Sequence, residues 1–344
     1  MRWVPSIAEA TAILVTFLWS TSYVLIKLGL PKIPPLDFAA YRYSLASLVL
    51  LVASSIKRPN TVTAKWTKED VLLVVVLGLL GYTLAQGLQF VGLDYLPAVT
   101  TSFLQNFTPV FVLCIAYPLL REAPIRLQYI GLGVALAGLL AFFAGQPLEA
   151  EATGVVVVLL GSVAWAAYLV IVKKAKVAEK LGALRFTTLT MGAGSLMLLA
   201  AALVSGGAPS LGLDDWLIIV WLSLLNTAFA FYLWNVALKT LKAFELSILQ
   251  NTMLVQIALL SWYFLGEEIT LNMAIGMALI LVGSGIVQVP EFRPALFRRK
   301  EKSLSLGPGS RVSVLNESCR PHCVGNVPPV LIKSRHAALE PIFK

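Results

Sequence analysis

Long runs of apolar residues dominate this chain, and short polar connectors separate them. Each run extends over roughly 20 residues, the length that an α-helix needs to cross a bilayer core about 30 Å thick. Apolar and polar residues do not alternate within the runs, as they would in the strands of a membrane β-barrel. The pattern therefore predicts an all-α integral membrane protein with ten transmembrane helices. We place them at residues 8–29, 36–56, 71–93, 97–119, 127–145, 154–173, 184–204, 216–238, 243–265 and 270–289.

The connectors indicate how these helices are oriented. Of the 27 lysine and arginine residues, all except Lys27, Lys32 and Arg42 fall on one side when the N-terminus is placed inside. Cytoplasmic segments carry such an excess of positive charge. Because the number of helices is even, both termini are expected in the cytoplasm and the protein in the plasma or inner membrane. The first apolar segment lacks a cleavage site of small residues, so we expect it to be a retained helix.

Composition agrees with this assignment. Hydrophobic residues make up 58% of the chain and charged residues 13%, and the mean hydropathy is +0.81; soluble domains contain roughly 25% charged residues. The formal net charge of +9 follows from the cytoplasmic connectors and tail, so no nucleic-acid partner is expected. The basic tail, residues 290–344, is polar and rich in Pro, Ser and Gly, and we expect it to be disordered.

A shift of 145 residues reveals an internal repeat. The coinciding residues include a Gln-Asn pair, a glutamate and two glycines, which rarely coincide by chance. They are Gln105-Asn106 with Gln250-Asn251, Glu122 with Glu267, Gly131 with Gly276 and Gly138 with Gly283. Residues 1–146 and 147–289 are therefore predicted to be related five-helix domains. Because five is odd, the halves insert with opposite orientations. This is the inverted-repeat plan of alternating-access transporters, which place the substrate in a central cavity near the midplane.

An ordered set of short motifs runs through both halves. In the first half they are Trp19-Ser20-Thr21-Ser22-Tyr23 with Lys27, the Pro34-Pro35 turn before Arg42, and the block from Leu93 to Gly138. In the second half they are Trp165 with Tyr168, Asn226-Thr227-Ala228, Tyr232-Leu233-Trp234-Asn235, Leu265-Gly266-Glu267 and Gly276 to Gly283. Together they resemble the EamA-type transporters of the drug/metabolite transporter superfamily.

This resemblance covers about residues 8–289. It implies a ten-helix inverted-repeat fold around a central cavity and transport of amino acids or other small metabolites, often outward. Two departures concern gating. Arg121-Glu122 stands where the second half has Gly266-Glu267, and Leu254 stands where the first half has Pro109.

Polar side chains within the predicted helices mark the candidate substrate site, because an unsatisfied polar group in hydrocarbon costs several kcal/mol. The amides in such positions are Gln86, Gln89, Gln105, Asn106, Asn226, Asn235, Gln250 and Asn251. Adjacent helical residues point about 100° apart, so one member of each Gln-Asn pair should face the cavity. The alternative for every amide is a hydrogen bond across a helix interface, worth about 0.6 kcal/mol.

Aromatic side chains are a second group of candidates, since they can bind a partly apolar or cationic substrate. They are Trp19, Tyr23, Trp165 and Tyr168. Trp19 and Trp165 have matching, deep positions in the two halves. Tyr232 and Trp234 fit equally well as anchors at the membrane interface.

Charged residues near the ends of helices have competing interpretations. Arg42 either binds a substrate carboxylate, pairs across a gate, or snorkels to the surface, and Lys27 has the same alternatives. Glu122 and Glu267 lie at helix ends on opposite faces, where helix capping or salt bridging explains them best. No acidic residue lies securely at mid-membrane, so coupling to protons stays open.

Small residues predict a helix contact. Gly131, Ala135 and Gly138 lie on one face of the fifth helix, and Gly276 and Gly283 lie on one face of the tenth. Small residues let membrane helices approach closely, so we interpret these glycines as packing faces.

These features predict a secondary carrier that moves small metabolites, in the first place amino acids or related zwitterionic and neutral solutes, by alternating access. The resemblance favours export. A channel or lipid scramblase of the same architecture is the alternative. The expected partners are a small-molecule substrate and the lipid bilayer, and a homodimer is left open. No enzyme is expected, because both histidines, His322 and His336, lie in the tail. No cofactor or metal is expected either, since Cys319, His322 and Cys323 lack a fourth ligand.

Overall fold

The computed structural model describes residues 7–56, 67–120, 126–144, 152–175, 181–206, 210–237 and 243–288. All regular elements within these ranges are helical. The first half contains α1 Ile7–Gly29, α2 Pro35–Ile56, α3 Lys68–Gly78, the π-helix π1 Leu79–Leu84, α4 Ala85–Tyr95, α5 Ala98–Gln105, α6 Thr108–Leu120 and α7 Arg126–Phe143. The second half contains α8 Ala152–Ala175, α9 Ala183–Ser205, α10 Leu213–Ser223, the π-helix π2 Leu224–Phe229, α11 Ala230–Ala237, α12 Ala243–Leu265 and α13 Leu271–Gln288. The predicted tail, residues 290–344, lies outside the described residues.

The helical runs have the length and apolar character of membrane spans. Among the described residues, eight runs satisfy both criteria: Ile7–Gly29, Pro35–Ile56, Lys68–Tyr95, Ala98–Leu119, Arg126–Phe143, Ala152–Ala175, Leu184–Ser205 and Leu213–Trp234. Leu271–Ile286 is a shorter apolar helix. The prediction of an all-helical integral membrane protein is confirmed, while the number of crossings and the inverted repeat stay predictions.

Aspartate side chains cap the first turns of two of the helices in the same way. At the start of α3, Thr67 N donates to Asp70 Oδ2 at 3.0 Å. At the start of α10, Gly212 N donates to Asp215 Oδ2, also at 3.0 Å. Each aspartate satisfies a backbone donor that the helix itself leaves unpaired and places negative charge at the positive end of the helix dipole. The two aspartates are 145 residues apart, the offset of the sequence repeat.

The two π-helices interrupt long runs at equivalent places. π1 lies between α3 and α4, and π2 lies between α10 and α11; their first residues are 145 apart as well. A π turn widens the helix and changes the direction of the side chains that follow, and it is frequent at functional sites. Neither π segment could be inferred from apolar length, so this feature is new in the structure.

A break at Asn106 separates α5 from α6. Pro109 has no N–H to donate to the carbonyl of Gln105, four residues earlier. Thr108 Oγ1 satisfies that carbonyl instead, at 2.7 Å. In the second half Leu254 stands in place of the proline, and α12 continues unbroken through it. The replacement of Pro109 by Leu254 therefore produces a real difference between the two halves: the helix predicted at residues 97–119 is broken, and the one predicted at residues 243–265 is continuous.

Glycines allow α7 and α13 to pack backbone to backbone. A Cβ on Gly276 would lie 2.6 Å from Phe142 Cβ and 2.8 Å from Gly138 O. A Cβ on Gly283 would lie 2.7 Å from Gly131 O. All three distances are too short for a real side chain, so only glycine fits. The predicted packing faces on these two helices are confirmed.

A second close crossing brings the π-helices toward the centre. α3 and α9 meet where a Cβ on Gly194 would lie 2.5 Å from Gly78 O. Immediately beyond this crossing, π1 presents Tyr82, whose ring lies 5.9 Å from the ring of Tyr43 in α2. The contact between these rings joins π1 to α2.

Candidate substrate site

Arg42 is a cation buried between helices of the two halves. It lies in α2 and is only 5% exposed. Its Nε donates a hydrogen bond to Thr227 Oγ1 in π2 at 2.9 Å, and its Nη2 donates to Ser22 Oγ in α1 at 3.3 Å. The guanidinium group thus joins helices from both halves of the chain. It does not snorkel to the surface, which was one of the alternatives that the sequence left open.

Two aromatic rings lie beside this guanidinium. Its Cζ is 5.4 Å from the centre of the Tyr43 ring and 5.8 Å from that of Phe90, within the range of cation–π interactions. Within the described part of the chain, no carboxylate lies within 4.0 Å of Arg42. A buried charge without a counter-charge costs several kcal/mol. The described part of the protein supplies hydroxyls and aromatic rings to this charge but no counter-charge.

Thr227 can accept the hydrogen bond from Arg42 because its own proton is used elsewhere. Its hydroxyl donates to the carbonyl of Leu222 at 2.9 Å, which leaves its lone pairs for the guanidinium. Threonine in a regular α-helix bonds the carbonyl three or four residues earlier. Here the step is five residues, which matches the wider turn of π2. The π-helix thus sets the orientation of the residue that holds Arg42.

Two tyrosines connect predicted amides to this region. The Tyr23 hydroxyl donates to Gln105 Oε1, and the Tyr43 hydroxyl donates to Gln86 Oε1 at 2.6 Å. Both tyrosines are buried. Tyr23, Gln86 and Gln105 are therefore brought to the surroundings of Arg42, from α1, α4 and α5.

Asn226 precedes Thr227 in π2 and is fully buried. Its Nδ2 donates to the carbonyl of Leu18 and, at 2.9 Å, to Thr21 Oγ1, both in α1. Its Oδ1 is also buried and has no hydrogen-bond partner among the described residues. A buried acceptor without a partner costs about 1–3 kcal/mol, so this carbonyl oxygen is a second place where a ligand would gain binding energy.

The remaining predicted amides lie apart from Arg42 or contact their own helix. Asn106 Nδ2 donates to Ser102 O of α5 at 2.8 Å. Gln89 is half-buried in α4 beside Gly161 of α8, where a Cβ would lie 3.9 Å from Gln89 N. Gln250 is exposed and Asn251 is half-buried in α12. The side chain of Asn235 lies outside the described residues. Whether these amides line a substrate path stays a prediction.

The predicted aromatic residues form two separate groups. Trp19 packs against Trp234, with ring centres 5.0 Å apart, and against Phe231 at 5.5 Å. Trp165 stacks on Tyr168 at 4.9 Å with an angle of 14° between the rings. Tyr168 then meets Tyr82 of π1 edge-on at 6.2 Å. Tyr232 is 41% exposed.

Lys27 and Glu267 border a cavity of about 270 Å³. Lys27 Nζ donates to the carbonyls of Leu93 and Leu96 at 2.6 and 2.9 Å, at the end of α4. Glu267 accepts from Ala98 N and Val99 N at 2.7 and 3.0 Å, at the start of α5. Each charge has the sign that the adjacent helix end attracts. The helix-capping interpretation of Glu267 is confirmed; Glu122 lies outside the described residues.

Sequence reasoning missed several residues of the central region. Arg42 contacts Ser22 and Thr227, which lie within the quoted motifs but were not candidates, and Tyr43 and Phe90, which lie outside those motifs. Gln256 was also missed. It links α12 to α1, because Ser20 Oγ donates to Gln256 Oε1 at 2.9 Å.

The comparisons with known proteins agree with this architecture. The model of the EamA-like transporter family matches residues 6–144 and 152–288. The chain belongs to this family. It is therefore a multi-pass membrane transporter of a small-molecule substrate rather than an enzyme. The family assignment made from the motifs is confirmed.

Individual relatives have the same character. An uncharacterized transporter of Archaeoglobus fulgidus is 28% identical over 278 residues, 78% of this chain and 93% of that protein. The uncharacterized transporter YoaV of Bacillus subtilis is 28% identical over 283 residues, 78% of this chain and 92% of that protein. The uncharacterized inner membrane transporter YedA of Escherichia coli is 27% identical over 150 residues, 43% of this chain and 47% of that protein. One crystal structure, with 19% sequence identity, has a TM-score of 0.58 over 86% of this chain and 98% of that chain, so the two share a fold.

Proposed function

We propose that this transporter is a secondary carrier of amino acids and related zwitterionic solutes, and that Arg42 binds the substrate carboxylate. One observation carries the proposal: Arg42 is 5% exposed and has hydroxyls and aromatic rings around it, with no carboxylate within 4.0 Å among the described residues. A substrate carboxylate would neutralise this charge and form a bidentate pair with the guanidinium group.

The mechanism we propose is alternating access between two inverted five-helix repeats. Its support is the equivalence of the two halves at an offset of 145 residues. π1 and π2 keep this offset, as do the capping aspartates Asp70 and Asp215 and both ends of α7 and α13. Inverted repeats place a substrate site between the halves, and the contact of Arg42 in α2 with Thr227 in π2 joins the two halves.

The orientation and direction belong to the same proposal. We place both termini in the cytoplasm because the positive connectors then lie inside. The outward direction rests on the family resemblance. In the structure the Arg42 region is buried, which corresponds to a state closed to solvent at this depth.

Counterflow into liposomes tests the proposal. Purified protein should accumulate labelled amino acid saturably when the liposomes contain unlabelled amino acid. Arg42→Gln should raise the substrate concentration at half-saturation roughly 30-fold or more, because loss of one partner of a buried charge pair costs about 2–5 kcal/mol. Arg42→Lys keeps the charge without the planar fork and should have an intermediate effect.

The matched control is Arg126→Gln, at an exposed arginine that begins α7, which should transport as the wild type does. Unsaturable, linear flux would indicate a channel or scramblase and would contradict the carrier mechanism. Unchanged half-saturation in Arg42→Gln would contradict the carboxylate site.

A further inference from the structure

Asn226, whose side-chain oxygen has no partner among the described residues, directly precedes Thr227, the residue that accepts a hydrogen bond from Arg42. Asn226 and Thr227 are consecutive in π2. Asn226 donates to Thr21 of α1, while Arg42 donates to Ser22, the next residue of α1, and to Thr227. Among the described residues, an acceptor without a partner, on Asn226, and a cation without a counter-charge, Arg42, thus have hydrogen-bond partners at adjacent positions of α1, Thr21 and Ser22.

The orientation of the Asn226 amide is fixed by its neighbours. The carbonyl of Leu18 can only accept, so the amide nitrogen has to face it. The Thr21 hydroxyl donates to that same carbonyl at 2.7 Å and therefore accepts from Asn226 Nδ2. Both amide protons are consequently used by α1. Oδ1 points away from these contacts and stays buried without a partner among the described residues.

We propose that Asn226 determines specificity by accepting a hydrogen bond from the ammonium group of the substrate while Arg42 binds its carboxylate. This inference rests on the proposed function and identifies the second half of the recognition. In an α-amino acid a single carbon separates the ammonium and carboxylate groups, so the protein groups that bind them must be neighbours. The adjacent contacts of Arg42 and Asn226 satisfy this requirement. An ammonium also supplies the donor that Oδ1 lacks.

Three related probes separate the two interactions. They are L-phenylalanine, 3-phenylpropanoate, which lacks the amino group, and 2-phenylethylamine, which lacks the carboxylate. The aromatic body suits a site bordered by the rings of Tyr43 and Phe90. Binding of each probe to the purified full chain is measured by titration calorimetry. A hydrogen bond to a charged group should make the wild type prefer L-phenylalanine to 3-phenylpropanoate by about 10-fold or more.

Asn226→Leu should abolish this preference by weakening L-phenylalanine about 10-fold while 3-phenylpropanoate changes by about twofold or less. Asn226→Ser keeps a polar group toward α1 but lacks the carbonyl oxygen, so it should also lose the preference and serves if the leucine variant does not fold. Asn272→Leu is the matched control, because Asn272 is exposed and bonds Ala144 O at the far end of α13; the preference should be unchanged there.

The outcomes for the two proposals differ. If Arg42→Gln weakens both L-phenylalanine and 3-phenylpropanoate but the Asn226 variants keep the wild-type preference, the role of Asn226 is wrong and the carboxylate site stands. If the wild type binds L-phenylalanine and 3-phenylpropanoate equally well, the role of Asn226 is likewise wrong and the carboxylate site stands. The proposed function itself is wrong if neither L-phenylalanine nor 3-phenylpropanoate binds the wild type. It is also wrong if Arg42→Gln binds these two probes as tightly as the wild type does.

Discussion

Two charged residues are stabilised in opposite ways in this transporter. Arg42 is surrounded by hydroxyls and aromatic rings, which leave its charge without a counter-charge among the described residues. Glu267 instead receives two backbone N–H groups at the start of α5. The charge of Glu267 is therefore used by the protein itself, whereas that of Arg42 is available for the substrate carboxylate that we propose. This difference separates a structural charge from a candidate binding charge.

The capping role of Glu267 gives a prediction about stability. Glu267→Gln keeps an oxygen acceptor but loses the negative charge at the positive end of the α5 dipole. We expect the free energy of unfolding to fall by about 1 kcal/mol, seen as a lower unfolding temperature of the purified protein. Glu268→Gln, at the exposed neighbouring glutamate, should leave that temperature unchanged. Equal effects of the two substitutions would show that the capping bonds are not responsible.

At the scale of single residues, the sequence predicts which kinds of side chain lie within the helices better than it predicts which residues they contact. Polar residues in apolar helices identified Arg42, Gln86 and Gln105 as candidates, but the burial of Arg42 and the tyrosine partners of the two amides needed the structure. The choice of Gln256 rather than Gln250 as the contact to α1 does not follow, because it depends on the rotation of α12 about its axis. Neighbouring helices set that rotation through packing.

Helical elements were predictable wherever hydrophobic length and turn residues agree. The second segment, predicted at residues 36–56, is observed as Pro35–Ile56, since proline suits the first helical position. The π-helices were not predictable, because hydropathy does not report which carbonyl each N–H contacts. The break before Thr108 was visible as Pro109, but its consequence needed the observed hydrogen bond from Thr108 to the Gln105 carbonyl.

The contact between α7 and α13 gives a prediction at this scale. Gly276→Ala places a Cβ 2.6 Å from Phe142 Cβ, so the helices have to separate. We expect a loss of about 1–3 kcal/mol in the free energy of unfolding, as for overpacked cores. Gly285→Ala in the same helix is the matched control, because a Cβ there meets nothing within 4 Å. It should be neutral or gain up to about 1 kcal/mol from helix propensity. Thermal unfolding of both variants compares them, and equal stability would argue against a close α7–α13 contact.

At the scale of the whole molecule, the proposed inverted repeat predicts that similar residues lie at the two membrane faces. Lys27 and Glu267 border the cavity beside α4 and α5. The equivalent residues in the other half are Lys173 and Glu122, which the proposed topology places on the opposite membrane face. A carrier that closes one face while opening the other needs similar contacts at both ends, and inverted repeats supply them from one ancestral segment.

The inversion itself can be tested with a pair of equivalent positions. Glu69 and Asp214 are 145 residues apart, and each is the exposed second residue of its helix, α3 and α10. If the repeats are inverted, the two lie on opposite faces of the membrane. We therefore expect Glu69→Cys to react with a membrane-impermeant maleimide only after cells are permeabilised, and Asp214→Cys to react in intact cells.

The background for this labelling has serine in place of Cys114, Cys319 and Cys323, so that each variant carries a single thiol. Replacing an acidic residue should not alter insertion, because lysine and arginine dominate topology. Labelling of both positions from the same side would mean that the halves are parallel, and the alternating-access proposal would lose its structural basis. Labelling with the sides exchanged would keep the inversion but reverse the orientation of the protein. The two positions thus test separately whether the halves are antiparallel and which face is cytoplasmic.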